Sequence, residues 1–357
     1  LDEIDFNRTL MHGMLSFLLF AGALHVDLNS LLESKVRVGT LATVGVILST
    51  LINGVGFYFL CNLFGLHVDF ILCLIFGAVV SPTDPVAVLA LLKRLTIPKK
   101  LEATIGGESL FNDGVAVVVY SILVTVAFGG ISGHGSETPG TGMVIGLFVR
   151  EALGGAVLGM VCGYAAFLLM RHMDDYVIEV ITTLALVTGG YAIALQLHVS
   201  GPIAMVIAGV FIGNTGRRLA MSEETRQHVT QFWHLIDEIL NAALFVLIGF
   251  QIIILTYQSS VLFISILCVP LAVGARCLAV GAPLQVLRPL IGQQQGDIVI
   301  LTWAGLRGGI SVALALSLPD IAEKSLILTA TYTVVVFSIL IQGLTIKNVI
   351  RWVQRKK

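Results

Sequence analysis

Apolar runs of bilayer-crossing length recur along almost the whole chain. They fall near residues 9–24, 38–61, 68–92, 103–128, 142–170, 176–197, 199–213, 229–254, 259–284, 297–318 and 326–346. That pattern predicts an all-α, polytopic membrane protein of about eleven spans, the run at 199–213 being short. Only helices and closed barrels satisfy every backbone group where water is absent. Composition agrees: of 357 residues, 56% are hydrophobic and 12% charged, with a mean hydropathy of +0.94. A soluble domain carries about 25% charged residues, so an ordinary cytosolic enzyme is excluded. The net charge of -1 argues against a nucleic-acid partner. Cys61, Cys73, Cys162, Cys268 and Cys277 lie mostly in apolar runs with no C-x-x-C pair. They read as packing residues, not as a disulfide framework or zinc site.

The basic residues order these spans. Alternate connections carry Lys35 and Arg37; Lys93, Arg94, Lys99 and Lys100; Arg171; Arg217, Arg218 and Arg226; Arg288; and Lys347, Arg351, Arg355, Lys356 and Lys357. The opposite side holds Arg8 and Lys324, with Arg150 if it is counted. By the positive-inside rule this puts the C-terminus in the cytoplasm and the first residue outside. The longest polar connection, Gly129 to Gly142, reads as a turn-rich loop. The chain opens on Leu1 rather than Met, so it is expected to start inside a longer one.

Two spans look interrupted. Ser81-Pro82-Thr83-Asp84-Pro85 removes two backbone donors within four positions, with Asp84 suited to an N-cap and Pro85 to the first turn of a new helix. Gly305-Leu306-Arg307-Gly308-Gly309 weakens a helix with three glycines in five positions. Unwound backbone at membrane depth survives only when buried in protein or lining a wet cavity. Gly22 and Gly249, each after four apolar or small residues, are separated by nearly the same interval as Asp84 and Arg307. This spacing suggests two inverted repeats. Discontinuous helices at matching places in such repeats point to a secondary transporter's binding site.

Ionisable groups inside spans are expensive, so each is a candidate. The main cluster is Asp84, Glu108, Asp113, Arg276 and Arg307; Glu179, Asp237 and Glu238 lie nearer span ends. Ser109 and Asp113 share one helix face, Glu108 and Asn112 a neighbouring one. Carboxylate, hydroxyl, amide oxygen and freed carbonyls suit a hard monovalent cation. A proton competes for the same Asp113 carboxylate. Occupied by either, the group is close to neutral; empty, it must carry a bare charge past an apolar gate. One proton exchanged for one monovalent cation, with no net charge moved, is the expectation. The bland readings stand beside it: Asp84 as only an N-cap, Glu108 and Arg307 as a purely structural ion pair, Asp237 and Glu238 as structural or interfacial. The eight histidines lie mostly in loops or near span ends and read as solvated surface. A cation-coupled solute symporter and an intramembrane enzyme with an Asp84–Asp113 dyad are the rivals. No HExxH motif supports the enzyme.

At these residues the chain resembles a known family. Gly77 to Ala87 (GAVVSPTDPVA), Gly107 to Gly114 (GESLFNDG), Gly305 to Gly309 (GLRGG), Ser200 to Ala204 (SGPIA) and Asn241 to Gly249 (NAALFVLIG) resemble the sodium/proton exchangers. Those are the NhaP-type prokaryotic antiporters and their animal NHE-type relatives. The resemblance implies an electroneutral Na+/H+ antiporter in a cell (plasma or inner) membrane, with K+/H+ exchange on the same fold as the alternative. It implies no enzyme activity and no cofactor beyond the transported ions. Its partners are lipid and a second copy of itself. The Asn112-Asp113 pair matches the signature of electroneutral exchange. Thr83, Ser109 and Asp113 would hold Na+, Thr83 partly through its main chain. Asp84 would balance the crossing of the broken helices, Glu108 would pair with Arg307, and Arg276 would be a supporting buried base. Members usually have thirteen spans, with a six-span repeat on each side of a linker helix, and a core bundle moving against a scaffold that dimerises. Here 1–128 would be part of the first repeat, 142–170 the linker, 176–346 the second repeat and 347–357 a cytoplasmic tail. Two N-terminal helices are expected to be missing. Gln196 replaces an acid found in many relatives, and the short tail favours a prokaryotic type.

Overall fold

The computed structural model describes residues 13–85, 88–89, 99–129, 141–172, 175–254, 259–291 and 296–355. In chain order the longer helices are α1 (Leu15–Leu24), α2 (Lys35–Leu63, with a π-turn at Leu41–Gly45), α3 (Phe70–Val79), α4 (Lys99–Phe128), α5 (Thr141–Arg171) and α6 (Tyr176–Leu197), a short helix at Leu28–Glu33 lying between α1 and α2. Then follow α7 (Gly201–Phe211, continued by a π-turn at Ile212–Gly216), α8 (Glu223–Ile254) and α9 (Ser259–Ile291). The last are α10 (Asp297–Ala304), α11 (Gly309–Leu316) and α12 (Lys324–Arg355), which contains a π-turn at Ser338–Gln342. Among the described residues there is no strand, only an isolated bridge between Asp84 and Leu306. The all-α, polytopic expectation holds, and six of the described helices are long and apolar enough to cross a membrane. Residues 347–355, expected as a tail, continue helix α12 with Ile346, Ile350 and Val353 buried.

The chain divides into two compact units. One comprises Leu1–Leu32 and Pro139–Leu247. Its close approaches depend on small residues. A Cβ at Gly155 or Gly159 of α5 would stand 2.5 Å from Ser200 O or 2.2 Å from Ala204 O of α7, the small-xxx-small spacing of membrane helix contacts. Trp233, fully buried, packs its ring against Phe20 at 4.7 Å in a tilted arrangement and donates its indole N–H to Thr183 Oγ1 at 2.9 Å. Asn214 takes the Leu28 N–H (2.9 Å) and donates to Val26 O (2.9 Å), fixing the end of α1. Glu179 is buried in this unit, Asp237 half-buried beside Asn241, and Glu238 exposed.

The other unit comprises Glu33–Thr138 and Ile248–Lys357. Its core joins Leu41, Leu101, Ile105, Val280, Leu284, Ile300, Leu301, Ile346 and Ile350 from α2, α4, α9, α10 and α12. Helix α3 lies against α2 so tightly that a Cβ on Gly77 would stand 2.1 Å from Thr50 O. Both expected interruptions are present. Helix α3 stops at Val79 and the chain runs unwound through Pro85; α10 stops at Ala304 and α11 starts at Gly309. The helix restart expected after Pro85 falls largely on 86–87 and 90–98, outside the described residues. The same holds for most of the Gly129–Gly142 loop and for Lys93, Arg94, Lys356 and Lys357.

Arg37 is not a loop cation. It is 4% exposed and bonds Asp297 Oδ2 at 2.5 Å in the first turn of α10. Breaking a buried pair from one side leaves a charge without its partner, at a cost of about 3–5 kcal/mol. Arg37→Met is therefore expected to lower the melting temperature in detergent, and Arg37→Met/Asp297→Leu to recover most of it. Equal melting of the single variant and the wild type would refute a stabilising pair.

Candidate functional site

The site grows from two successive turns of α4. Glu108, Ser109, Asn112 and Asp113 are 1%, 2%, 0% and 6% exposed, and their i, i+4 spacing puts them on two adjoining faces. The unwound segment after α3 lies against them. Its Pro82 and Pro85 carry no backbone N–H. Ser81 closes the helix end by donating to Gly77 O at 2.7 Å and meets Thr50 Oγ1 at 3.2 Å. Thr83 then faces α4: its N–H points at Asn112 Oδ1 (3.4 Å), and its hydroxyl meets Ser109 Oγ (3.0 Å). The Asn112 amide donates to Thr83 Oγ1 (2.7 Å) and to Glu108 Oε1 (3.3 Å).

The second interruption crosses the first. Asp84 N–H donates to Leu306 O at 2.8 Å in an antiparallel bridge. The Asp84 side chain rests where Gly308 has none: a Cβ there would stand 2.5 Å from Asp84 Oδ2. Arg307 is 3% exposed, and its Nη1 donates back to Ser81 O (3.1 Å) and Pro82 O (3.3 Å). Each break thus satisfies groups that the other leaves open.

The expected Glu108–Arg307 pair is corrected by this geometry. Glu108 is held by both terminal nitrogens of Arg276, Nη1 to Oε1 at 2.5 Å and Nη2 to Oε2 at 2.7 Å. The forked geometry is the strong form of this contact. Arg276 can reach across because Gly305 has no side chain; a Cβ there would lie 2.5 Å from Arg276 Nε. Arg307 is spent on the two carbonyls.

Asp113 differs from Glu108, whose two oxygens are both bonded. Its Oδ1 is buried and has no hydrogen-bond partner among the described residues. Thr83, Asp84, Glu108, Ser109, Asn112, Asp113, Arg276 and Arg307 all lie in the second unit, while Glu179, Asp237 and Glu238 belong to the first. Among the described residues no three His, Cys, Asp or Glu side chains group as a metal site. The oxygens gathered here are a hydroxyl pair, an amide and a carboxylate, a set suited to hard ions. Sequence reasoning passed over Ser338 and Gln342, which adjoin the second break. Polar side chains in the last apolar run were the available signal.

Two interrupted helices that cross at a buried charged centre define a secondary transporter. Comparison with known proteins gives the family. Residues 3–352 match the model described as "Sodium/hydrogen exchanger, transmembrane", and the chain belongs to that family, whose members are transporters and not enzymes. It is 51% identical over 353 residues to the Na(+)/H(+) antiporter NhaP of Pseudomonas aeruginosa, covering 98% of this chain and 82% of the relative. It is 38% identical to the Na(+)/H(+) antiporter NhaH of Halobacillus dabanensis, covering 97% and 83%. The fold matches that of the sodium proton antiporter MjNhaP1 from Methanocaldococcus jannaschii with a TM-score of 0.77, at 19% identity over 95% of this chain and 84% of that one.

The crossing has no room for a methyl group at Gly308. Gly308→Ala is expected to destabilise the protein by about 1–3 kcal/mol through overpacking. Gly249→Ala, at a position with open space around it, should melt like the wild type. Indistinguishable melting of the two variants would refute the contact.

Proposed function

We propose that this protein exchanges Na+ for H+ across a plasma membrane, one for one and without net charge movement, at the Asp113 carboxylate. The observation that carries the reading is the Asp113 oxygen buried without a donor, one turn from the Ser109–Thr83 hydroxyl pair. An ionised carboxylate there lacks the hydrogen bonds that would replace its hydration, so it calls for a proton or a cation. Thr83 and Ser109 supply further oxygens for Na+, and the names of the relatives support sodium as the cation.

The count of acids and bases supports electroneutrality. Glu108 is neutralised by Arg276 through both oxygens, and Asn112 does not titrate. Asp84 sits at the crossing, facing the start of α11. The five charges of the cluster, three acids and two guanidiniums, leave one negative charge, which a single Na+ or a single H+ cancels. An empty site would carry a bare carboxylate through the bilayer interior, at several kcal/mol. Occupied states therefore cross between the two sides and the empty state stays put, which makes exchange obligatory. No cofactor enters this cycle. The basic connections support a cytoplasmic C-terminus, and the dimeric assembly expected from the resemblance is part of this proposal.

In proteoliposomes, Asp113→Ala is expected to reduce Na+-driven proton movement to background in a protein that still melts cooperatively. Retained exchange would overturn the assignment. Because the ions compete, the half-saturating Na+ concentration of the wild type should rise as pH falls; constancy across the working range would refute competition. Asn112→Asp adds a second titrating acid, and its transport is expected to respond to a clamped membrane potential while the wild type does not.

A further inference from the structure

The second interruption frees backbone groups that need partners inside the unit. Leu306 O receives the Asp84 N–H. The N–H of the next residue, Arg307, donates to Ser338 Oγ at 2.8 Å. Ser338 comes from α12 and is 1% exposed. A serine hydroxyl has one proton, and Ser338 gives it to Gln342 Oε1 at 2.7 Å, so a lone pair is left facing Arg307. Gln342 is 4% exposed. Ser338 and Gln342 bound the π-turn of α12, in which Gly343 N–H reaches back to Ser338 O. Single π-turns within α-helices occur frequently at functional sites. Here the widened turn brings a hydroxyl with a fixed proton direction to an unwound backbone.

We propose that Ser338 and Gln342 are positioning residues of the transport site, acting through Arg307; the proposal rests on the Na+/H+ exchange reading above. The chain of contacts is short. Gln342 orients the Ser338 hydroxyl, and Ser338 fixes the Arg307 main chain. The Arg307 guanidinium holds Ser81 O and Pro82 O, and the next residue, Thr83, meets Ser109 and Asn112. Releasing Ser338 loosens the break that aims Arg307, and Thr83 loses its fixed place beside Asp113. The effect belongs on Na+ affinity more than on the rate of the loaded carrier, because the side-chain hydrogen bonds of Ser338 and Gln342 join them to each other and to the Arg307 main chain.

The test uses the full chain in proteoliposomes, with Ser338→Ala, Ser338→Thr and Gln342→Met. Ser338→Ala and Gln342→Met are expected to raise the half-saturating Na+ concentration about tenfold, the equivalent of one lost hydrogen bond. Their maximal rates should change much less, and Ser338→Thr, which keeps the hydroxyl, should stay near wild type. Hydrogen exchange of the backbone at 305–309 should accelerate in Ser338→Ala and not in Ser338→Thr. Folded Ser338→Ala with wild-type Na+ dependence and wild-type exchange at 305–309 would overturn the proposal. Should Ser338→Ala fail to fold, Gln342→Met keeps the serine and is judged by the same two readouts. The exchange measurement needs no transport. If the wild type itself moves no protons against Na+, the function fails while the clamp on Arg307 is still judged.

Discussion

Everything at the centre of this protein depends on two interrupted helices meeting each other's unmet backbone groups. In a bilayer interior an exposed peptide group has no water to bond, so an unwound segment persists only with internal partners. Pro82 and Pro85 break the first helix, and glycines break the second. The Asp84–Leu306 bridge, the Arg307 contacts to Ser81 and Pro82, and the Ser338 contact to Arg307 N–H supply such partners. Remove the crossing and Thr83 has no reason to face Ser109 and Asn112. The geometry of this polar cluster is thus a consequence of backbone satisfaction rather than of side-chain preference.

The same crossing decides which charges are fixed and which are free. Five ionisable groups lie within one small region, yet they divide into distinct roles. Glu108 and Arg276 form a bidentate pair, Arg307 serves carbonyl oxygens, and Asp84 packs on Gly308. Glycine at 305 and at 308 makes both arrangements possible, because each missing Cβ is occupied by another residue's polar group. Asp113 is left as the acid of the cluster whose buried Oδ1 has no hydrogen-bond partner among the described residues.

Much of this was legible in the chain. The lengths of the apolar runs located most of the helices, since burial in lipid leaves little choice of element, although α9 and α12 extend to Ile291 and Arg355, past the run ends at 284 and 346. Prolines and clustered glycines located both breaks, and the buried acids located the centre. What pattern could not supply was partnership. Glu108 had two guanidiniums to choose from, and the choice turned on the space above Gly305, 197 positions along the chain from the acid. Arg37 read as a loop cation because Asp297, its partner, is 260 residues distant. Ser338 and Gln342 were passed over because a hydroxyl and an amide carry no charge penalty to mark them, although a π-turn gives them a place at the second break.

Asn112 shows why an amide, rather than a second acid, stands beside Asp113. It acts in both directions at once. Its oxygen faces the Thr83 N–H, and its nitrogen donates to Thr83 Oγ1 and to Glu108 Oε1. A carboxylate can accept from a main-chain N–H but has no proton to donate, and it would set a second negative charge against Glu108. The amide therefore ties three elements together: the unwound segment through Thr83, its own helix through Glu108, and α9 through the Glu108–Arg276 pair. It does so without adding a group that titrates. The charge of this position and the fixing of Thr83 are in this sense two properties of one side chain, and a substitution that changes its charge also removes donors from the cluster. A change in electrical behaviour at this position is then inseparable from a change in how Thr83 is held.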